Sequence, residues 1–287
     1  MAESVEIFDA VFLRQLEALD AALLRLRGNL GEGARGAGRS HGQTEFRGHR
    51  PYSPGDDLRR LDWNAYGRLG KFFMREFERE RAEHVTILLD CSRSMAAGTP
   101  PKHVLARRAA AAFGYLALKR GGSATLAGKP AVEGVSRFNR LLDQLIQSPP
   151  AADIGIGDQA AALQSRGRAP SDLVVISDCL EPLETLQPLQ ALSEKRTAVT
   201  LVQVLAPDEL EPAGNGLLQL RGLEENETLE LELDASMVEA YQRELEKHLE
   251  ALETIALRHG WTLALTDSAA DLRELFIGKL LPAGAMP

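Results

Sequence analysis

The sequence predicts an α/β fold: a doubly wound, mostly parallel sheet flanked by helices, with an N-terminal helical extension and a small β-hairpin insertion. Three observations carry this expectation. From His84 onward short apolar runs alternate with helical patterns, the rhythm of strand-helix-strand units. The segment Leu173 to Asp178 reads as a strand covered on both faces, which is how parallel strands sit beneath crossover helices. A chain of 287 residues with 44% hydrophobic side chains can also fill an extensive core, in one large domain or two small ones.

Taken in order, Val5, Phe8, Phe12, Leu16, Leu19, Leu23 and Leu26 recur at helical spacing, with Ser4 placed to cap the start and Gly28 near the end. Between Leu30 and Gly42 the composition shifts to Gly, Ala and Arg, which predicts an irregular loop. Strand and helix then alternate: His84 to Asp90 as strand, Lys102 to Leu118 as helix, Ser123 to Leu126 as strand, and a helix around Arg137 to Ile146. Leu173 to Asp178, Leu183 to Lys195 and Ala198 to Leu205 continue the series as strand, helix and strand. After Pro207, the β-prone stretches Leu217 to Leu220 and Thr228 to Leu233 flank a polar turn at Glu224 to Glu227, a hairpin insertion. A long helix from Ser236 to His259 carries Val238, Tyr241, Leu245, Leu249, Leu252 and Ile255 on one face, and Gly260 is placed to end it. Trp261 to Leu265 returns as a final strand, and no internal repeat interrupts the pattern. The expected division is 1–81, the helix plus an Arg- and Asp-rich segment, and 82–287, the α/β domain.

Bulk charge narrows the function classes. A formal net charge of −8 disfavours general nucleic-acid binding, and the Arg and His residues between Arg35 and Arg81 read as a solvated face paired with nearby acids. No apolar run reaches the roughly 18 to 20 residues needed to span a bilayer, and the N-terminus lacks a signal-peptide core, so a cytoplasmic location is expected. Two cysteines, Cys91 and Cys179, fit a reducing compartment rather than a disulfide framework.

The chemistry concentrates where the first strand ends, in Asp90-Cys91-Ser92-Arg93-Ser94. An aspartate and two serines at alternate positions on a tight loop can converge on a small hard cation, which prefers oxygen ligands. In an open parallel sheet, ligands collect beyond the carboxyl ends of strands whose connections leave in opposite directions. Asp178 closes its own strand in the same way, so a second carboxylate can meet the first across neighbouring strands. The alternative is structural: the serines cap the following turn and Asp90 anchors the loop by hydrogen bonds.

Asp90-x-Ser92-x-Ser94 after a buried strand resembles the metal-ion-dependent adhesion site of von Willebrand factor type A domains. The N-terminal half adds Gly38-Arg39-Ser40, Glu45-Phe46, Arg50-Pro51-Tyr52, Pro54-Gly55-Asp56-Asp57, Arg59, Leu61-Asp62-Trp63 and Arg75-Glu76-Phe77. Together these resemble the signature of a bacterial family catalogued as domain of unknown function fifty-eight, over most of the chain. The resemblance implies a type A fold and a protein partner, a MoxR-type AAA+ ATPase, in the assembly or maturation of client proteins. It also implies a Mg²⁺ or Mn²⁺ site at Asp90, Ser92, Ser94 and Asp178. Longer family members carry N-terminal membrane helices, so this chain is similar to the short, soluble form. The adhesion site usually draws a threonine from a middle loop, whereas none stands between Thr125 and Thr185; Asp153, Asp158 or water is the expected substitute.

Asp56, Asp57, Arg59 and Asp62, with Arg50, suit an internal ion-pair network in which each arginine holds a carboxylate by two parallel hydrogen bonds, with a recognition surface as the alternative, and Trp63 suits a packing anchor. Cys91 and Cys179 each follow a proposed metal aspartate, which allows a redox-coupled loop if the thiols approach, or two small residues filling strand ends. Gly33 to Ser40 imitates a phosphate loop but follows a charged helix rather than a buried strand. A Mg²⁺-dependent phosphatase or hydrolase using Asp90 is the competing function, yet Ser92 stands where such chemistry wants a second aspartate as general acid. A cysteine phosphatase would need an arginine six residues after Cys91, where Ala97 stands. The expectation is a non-catalytic, metal-dependent interaction module.

Overall fold

The computed structural model describes residues 7–30, 45–51, 72–78, 84–150, 155–166, 169–212, 216–221, 228–233 and 235–285. The chain divides into two units, Met1–Asn29 with Glu83–Pro287, and Leu30–Ala82. The N-terminal helix therefore packs within the larger unit, and the expected boundary at 81/82 falls beside the second junction. In the smaller unit, β1 (Glu45–Pro51) and β2 (Phe73–Glu78) pair antiparallel from Glu45↔Glu78 to Pro51↔Phe73, with a register shift between Phe46 and Gly48. Ser4, Gly33 to Ser40, Asp56, Asp57, Arg59, Asp62 and Trp63 lie outside the described residues.

In the larger unit α1 (Ala10–Leu30) is followed by β3 (His84–Leu89), α2 (Lys102–Lys119), β4 (Ser123–Leu126), β5 (Val132–Glu133), α3 (Phe138–Ile146) and α4 (Ile156–Ser165). Then come β6 (Asp172–Ser177), α5 (Gln187–Glu194), β7 (Ala198–Leu205), the hairpin β8 (Gly216–Arg221) and β9 (Thr228–Leu233), α6 (Ala235–His259) and β10 (Thr262–Asp267). A π-helical segment, Glu274–Leu280, closes the series. The central sheet has the order β10-β7-β6-β3-β4-β5, parallel throughout except for β5, which runs antiparallel to β4. This is the doubly wound α/β sheet that the sequence predicts, and it is consistent with a type A-like fold.

The period of two along each strand divides the core into two layers. Ile87, Leu89, Val174, Ile176, Val202 and Val204 join α1, α2, α3 and the π-helical segment on one face. Leu88, Leu173, Val175, Val199 and Leu201 join α4, α5 and α6 on the other. Because consecutive strand residues are apolar on both faces, helices must cover both, which is why an alternating polar pattern is absent here.

Helix α1 begins later than its periodicity suggests. Asp9 supplies the cap: its Oδ1 accepts the Phe12 amide at 2.7 Å, satisfying one of the free amides of the first turn. Phe12, Leu16, Leu19 and Leu23 are buried along one face, and Arg108 of α2 both lies over the Phe12 ring, 5.9 Å from its centroid, and donates through Nε to the Ile7 carbonyl at 2.9 Å. The stretch read as one helix from Leu183 is a 3-10 turn, Leu183–Leu186, running into α5 with Pro188 in its first turn. The sequence expectation leaves out β1, β2, α4, the two-residue β5, the short helix Pro207–Leu210 and the π-helical segment.

Candidate functional site

The site lies at the carboxyl ends of β3 and β6, which are neighbours in register from Val85↔Asp172 to Leu89↔Ile176. From β3 the chain leaves through α2 to β4 on one side; from β6 it leaves through α5 to β7 on the other. This is the point at which an open α/β sheet forms a crevice. One residue beyond the strand, the Asp90 amide donates to the Ile176 carbonyl at 2.9 Å, so the loop starts from a fixed position.

The Asp90 carboxylate is buried and fully engaged by its own loops. Its Oδ1 accepts the Ser92 amide at 2.8 Å, and its Oδ2 accepts the Ser177 hydroxyl at 2.5 Å. Ser177 in turn accepts the Cys179 amide at 2.9 Å, binding the first loop to the second. Burial pushes the Asp90 carboxyl above its ordinary range, the Ser177 and Ser92 hydrogen bonds pull it down, and the nearby Asp178 charge adds to the rise. Ser92 is buried and Ser94 half-buried, with their hydroxyl oxygens 2.9 Å apart.

Asp178 has a different partner. Lys102, in the first turn of α2 and 0% exposed, places Nζ 2.8 Å from Asp178 Oδ2 and 2.5 Å from Glu209 Oε1. Glu209 also accepts the Ala206 amide through Oε2 at 2.7 Å, and the Asp178 carbonyl accepts Gln203 Nε2 at 3.0 Å. One ammonium thus joins the loops after β3, β6 and β7. Gln159 of α4 donates to the Leu89 carbonyl at 3.3 Å, bringing a further helix to the strand end.

The donor set accommodates a small hard cation through one of its halves. The Ser92 and Ser94 hydroxyls hydrogen-bond each other at 2.9 Å, a separation that adjacent ligands of an octahedral Mg²⁺ at about 2.0 to 2.1 Å, about 2.8 to 3.0 Å apart, would also keep. Asp90 supplies a buried carboxylate beside them, held by the Ser92 amide and the Ser177 hydroxyl. Asp178 is instead held by Lys102, so the four residues grouped from sequence divide into Asp90, Ser92 and Ser94 on one side and Asp178 on the other. Asp158, one candidate for the missing threonine, is exposed in the first turn of α4, and Asp153 lies outside the described residues. Among the described residues, no group of three or more His, Cys, Asp or Glu gathers to hold a metal. The cation would rest on hydroxyls, a carboxylate and water.

The cysteines separate. Cys91 packs against the core on the α2 face, whereas Cys179, with φ of 51°, is buried in the core on the α4 face. Both are free, and burial pushes both thiols up, which disfavours the reactive thiolate. The redox-coupled loop therefore lacks its premise, an approach of the two thiols, although β3 and β6 are neighbours.

Comparison with known proteins gives the following. The family model described as "Protein of unknown function DUF58" matches residues 48–251. Uncharacterized proteins of Mycobacterium bovis and Mycobacterium tuberculosis are 31% identical over 218 residues, 69% of this chain and 67% of theirs. Among solved structures, the conserved hypothetical protein BatB from Bacteroides thetaiotaomicron aligns with a TM-score of 0.35 at 16% identity, covering 62% of this chain and 98% of that one. An aerotolerance-related membrane protein from Bacteroides fragilis, with multiple mutations to serines, aligns at 0.36 and 19% identity with the same coverage. Among the described residues, no helix of this chain is long and apolar enough to cross a membrane.

Proposed function

We propose that this chain, which belongs to the DUF58 family, is a non-catalytic protein-interaction module whose metal-loop face engages a protein partner. The observation that carries this reading is the gathering of the Ser92 and Ser94 hydroxyls, hydrogen-bonded to each other, beside buried Asp90 on one loop at the switch point of the sheet. Bound there, Mg²⁺ or Mn²⁺ would supply a Lewis-acidic position open to a carboxylate of the partner. The chain's own residues do the rest: Ser177 and the Ser92 amide orient Asp90, and Ser94 keeps partial exposure at the mouth of the loop. On the family resemblance, the partner is a MoxR-type AAA+ ATPase acting in the assembly or maturation of client proteins.

The Ser92 hydroxyl, which occupies the place of a general acid in aspartate-based phosphoryl transfer, is paired with Ser94 and cannot serve as an acid near neutral pH. That supports recognition over turnover. The test is calorimetric titration of Mg²⁺ and Mn²⁺ into the wild type and Asp90→Ala, followed by binding of a purified MoxR-type ATPase with and without chelator. Saturable metal binding lost in the variant, and capture that needs the metal, are the expected results. Absence of saturable binding in the wild type would refute the reading, and Mg²⁺-dependent turnover of a phosphate ester lost in Asp90→Ala would replace it with the hydrolase.

A further inference from the structure

Lys102 is an unusual residue in an unusual place. Lysine in the first turn of a helix faces the positive end of the backbone dipole, and a side chain with no exposure loses its hydration as well. Such an ammonium persists only where carboxylates compensate it, and here two do, Asp178 and Glu209. Both carboxylates are themselves fixed. Glu209 is held by the Ala206 amide, and the backbone of Asp178 by Gln203.

We infer that Lys102 is an internal counter-ion that commits Asp178 to the protein's own loops and keeps it out of the coordination of a cation held by Asp90, Ser92 and Ser94. The inference deepens the metal-loop reading and rests on it. Taken by themselves, the carboxylates of Asp90, Asp178 and Glu209 with the one ammonium sum to −2, while Arg107 and Lys129 act at Cys91 and Glu181 at Cys179. Without Lys102 that charge becomes −3 and Asp178 Oδ2 loses its partner, so the same loops should take a divalent cation more tightly. The lysine thus sets the affinity of the site from below and makes it a weak, exchangeable one, while pinning three strand-end loops whether or not metal is present.

The experiment is calorimetric titration of Mg²⁺ and Mn²⁺ into the full chain, wild type and the variants Asp90→Asn, Asp178→Asn and Lys102→Gln, with folding checked by circular dichroism. Expected are loss of binding in Asp90→Asn, roughly tenfold weakening in Asp178→Asn, where a charge but no ligand is removed, and roughly tenfold tightening in Lys102→Gln, each the effect of one charge a few ångströms away. Asp178→Asn as damaging as Asp90→Asn, or Lys102→Gln weaker than wild type, overturns the inference and leaves the metal-loop reading standing. Binding in Lys102→Gln but not in wild type supports the inference and overturns that reading; binding in neither overturns both. Should Lys102→Gln fail to fold, the comparison of Asp178→Asn with Asp90→Asn decides the matter for a wild type that binds. For one that does not, Lys102→Met, a near-isosteric side chain without the charge, takes the place of Lys102→Gln, with gain of binding as support and its absence as refutation.

Discussion

Gly114, in the middle of α2, is where a single methyl group should change sign in its effect on stability. A Cβ built at this position would stand 2.2 Å from Leu141 Cδ2 and 3.4 Å from Ala124 Cβ. Leu141 of α3 is itself 0% exposed, so its side chain cannot swing aside without displacing other core atoms. Gly114→Ala on an unobstructed helix would gain about 1 kcal/mol from propensity. Overpacking a filled core costs about 1 to 3 kcal/mol, and a central value of about 2 leaves a net loss of about 1 kcal/mol. Leu141→Ala removes the obstruction, at about 2 to 5 kcal/mol of its own. In that background Gly114→Ala should stabilise by about 1 kcal/mol, giving a coupling of about 2 kcal/mol between the two sites. Urea unfolding of the four proteins, compared through midpoints at constant slope, measures it. Stabilisation by Gly114→Ala in the wild-type background, or equal shifts in both backgrounds, would refute the packing argument.

Phe12→Ala should cost about 3 to 5 kcal/mol by opening a cavity where α1 meets α2, read as a lowered urea midpoint and new protease cleavage within α1. Trp261→Phe removes the indole N–H that donates to the Ser193 hydroxyl and should cost about 1 kcal/mol by thermal or chemical unfolding. Tyr241 donates its hydroxyl to the Glu209 carbonyl, and partial burial together with the Glu209 and Asp208 charges raises its pKa above that of a free phenol. The sign follows: the folded state holds this proton more tightly than the unfolded state, so the contribution is intact below pH 10 and is lost as pH rises through the folded value. A spectrophotometric phenol titration, differenced against Tyr241→Phe, should show one tyrosine ionising later than free phenol; ionisation at or below pH 10 would contradict it.

The parallel strands were legible because Val, Ile and Leu runs such as Leu173–Ile176 have few other homes, and the long period of α6 left little choice. Helix α4 was not, because its buried set of Ile156, Ala160 and Leu163 is small and Gly157 in the first turn reads as loop. Strand β5, with only Val132 and Glu133, is too short to carry a period. At the site, Asp90, Ser92 and Ser94 could be found together because they share one loop. Ser177 and Glu209 could not, since pairing across strands decides what they touch. Lys102 did carry a signal, a cation at a helix start against the dipole, which asks for a carboxylate without saying which one.

The place of α1 has a consequence for biosynthesis. Its apolar face, Phe12, Leu16, Leu19 and Leu23, is covered partly by α2 and by a cluster that reaches Phe276 and Leu280 near the other end of the chain. At roughly 5 to 20 residues per second, α2 leaves the ribosome on the order of ten seconds after α1. For that interval the nascent chain displays an amphipathic helix with nowhere to dock. A chaperone that binds such faces would meet α1 from the moment it emerges until α2 follows it.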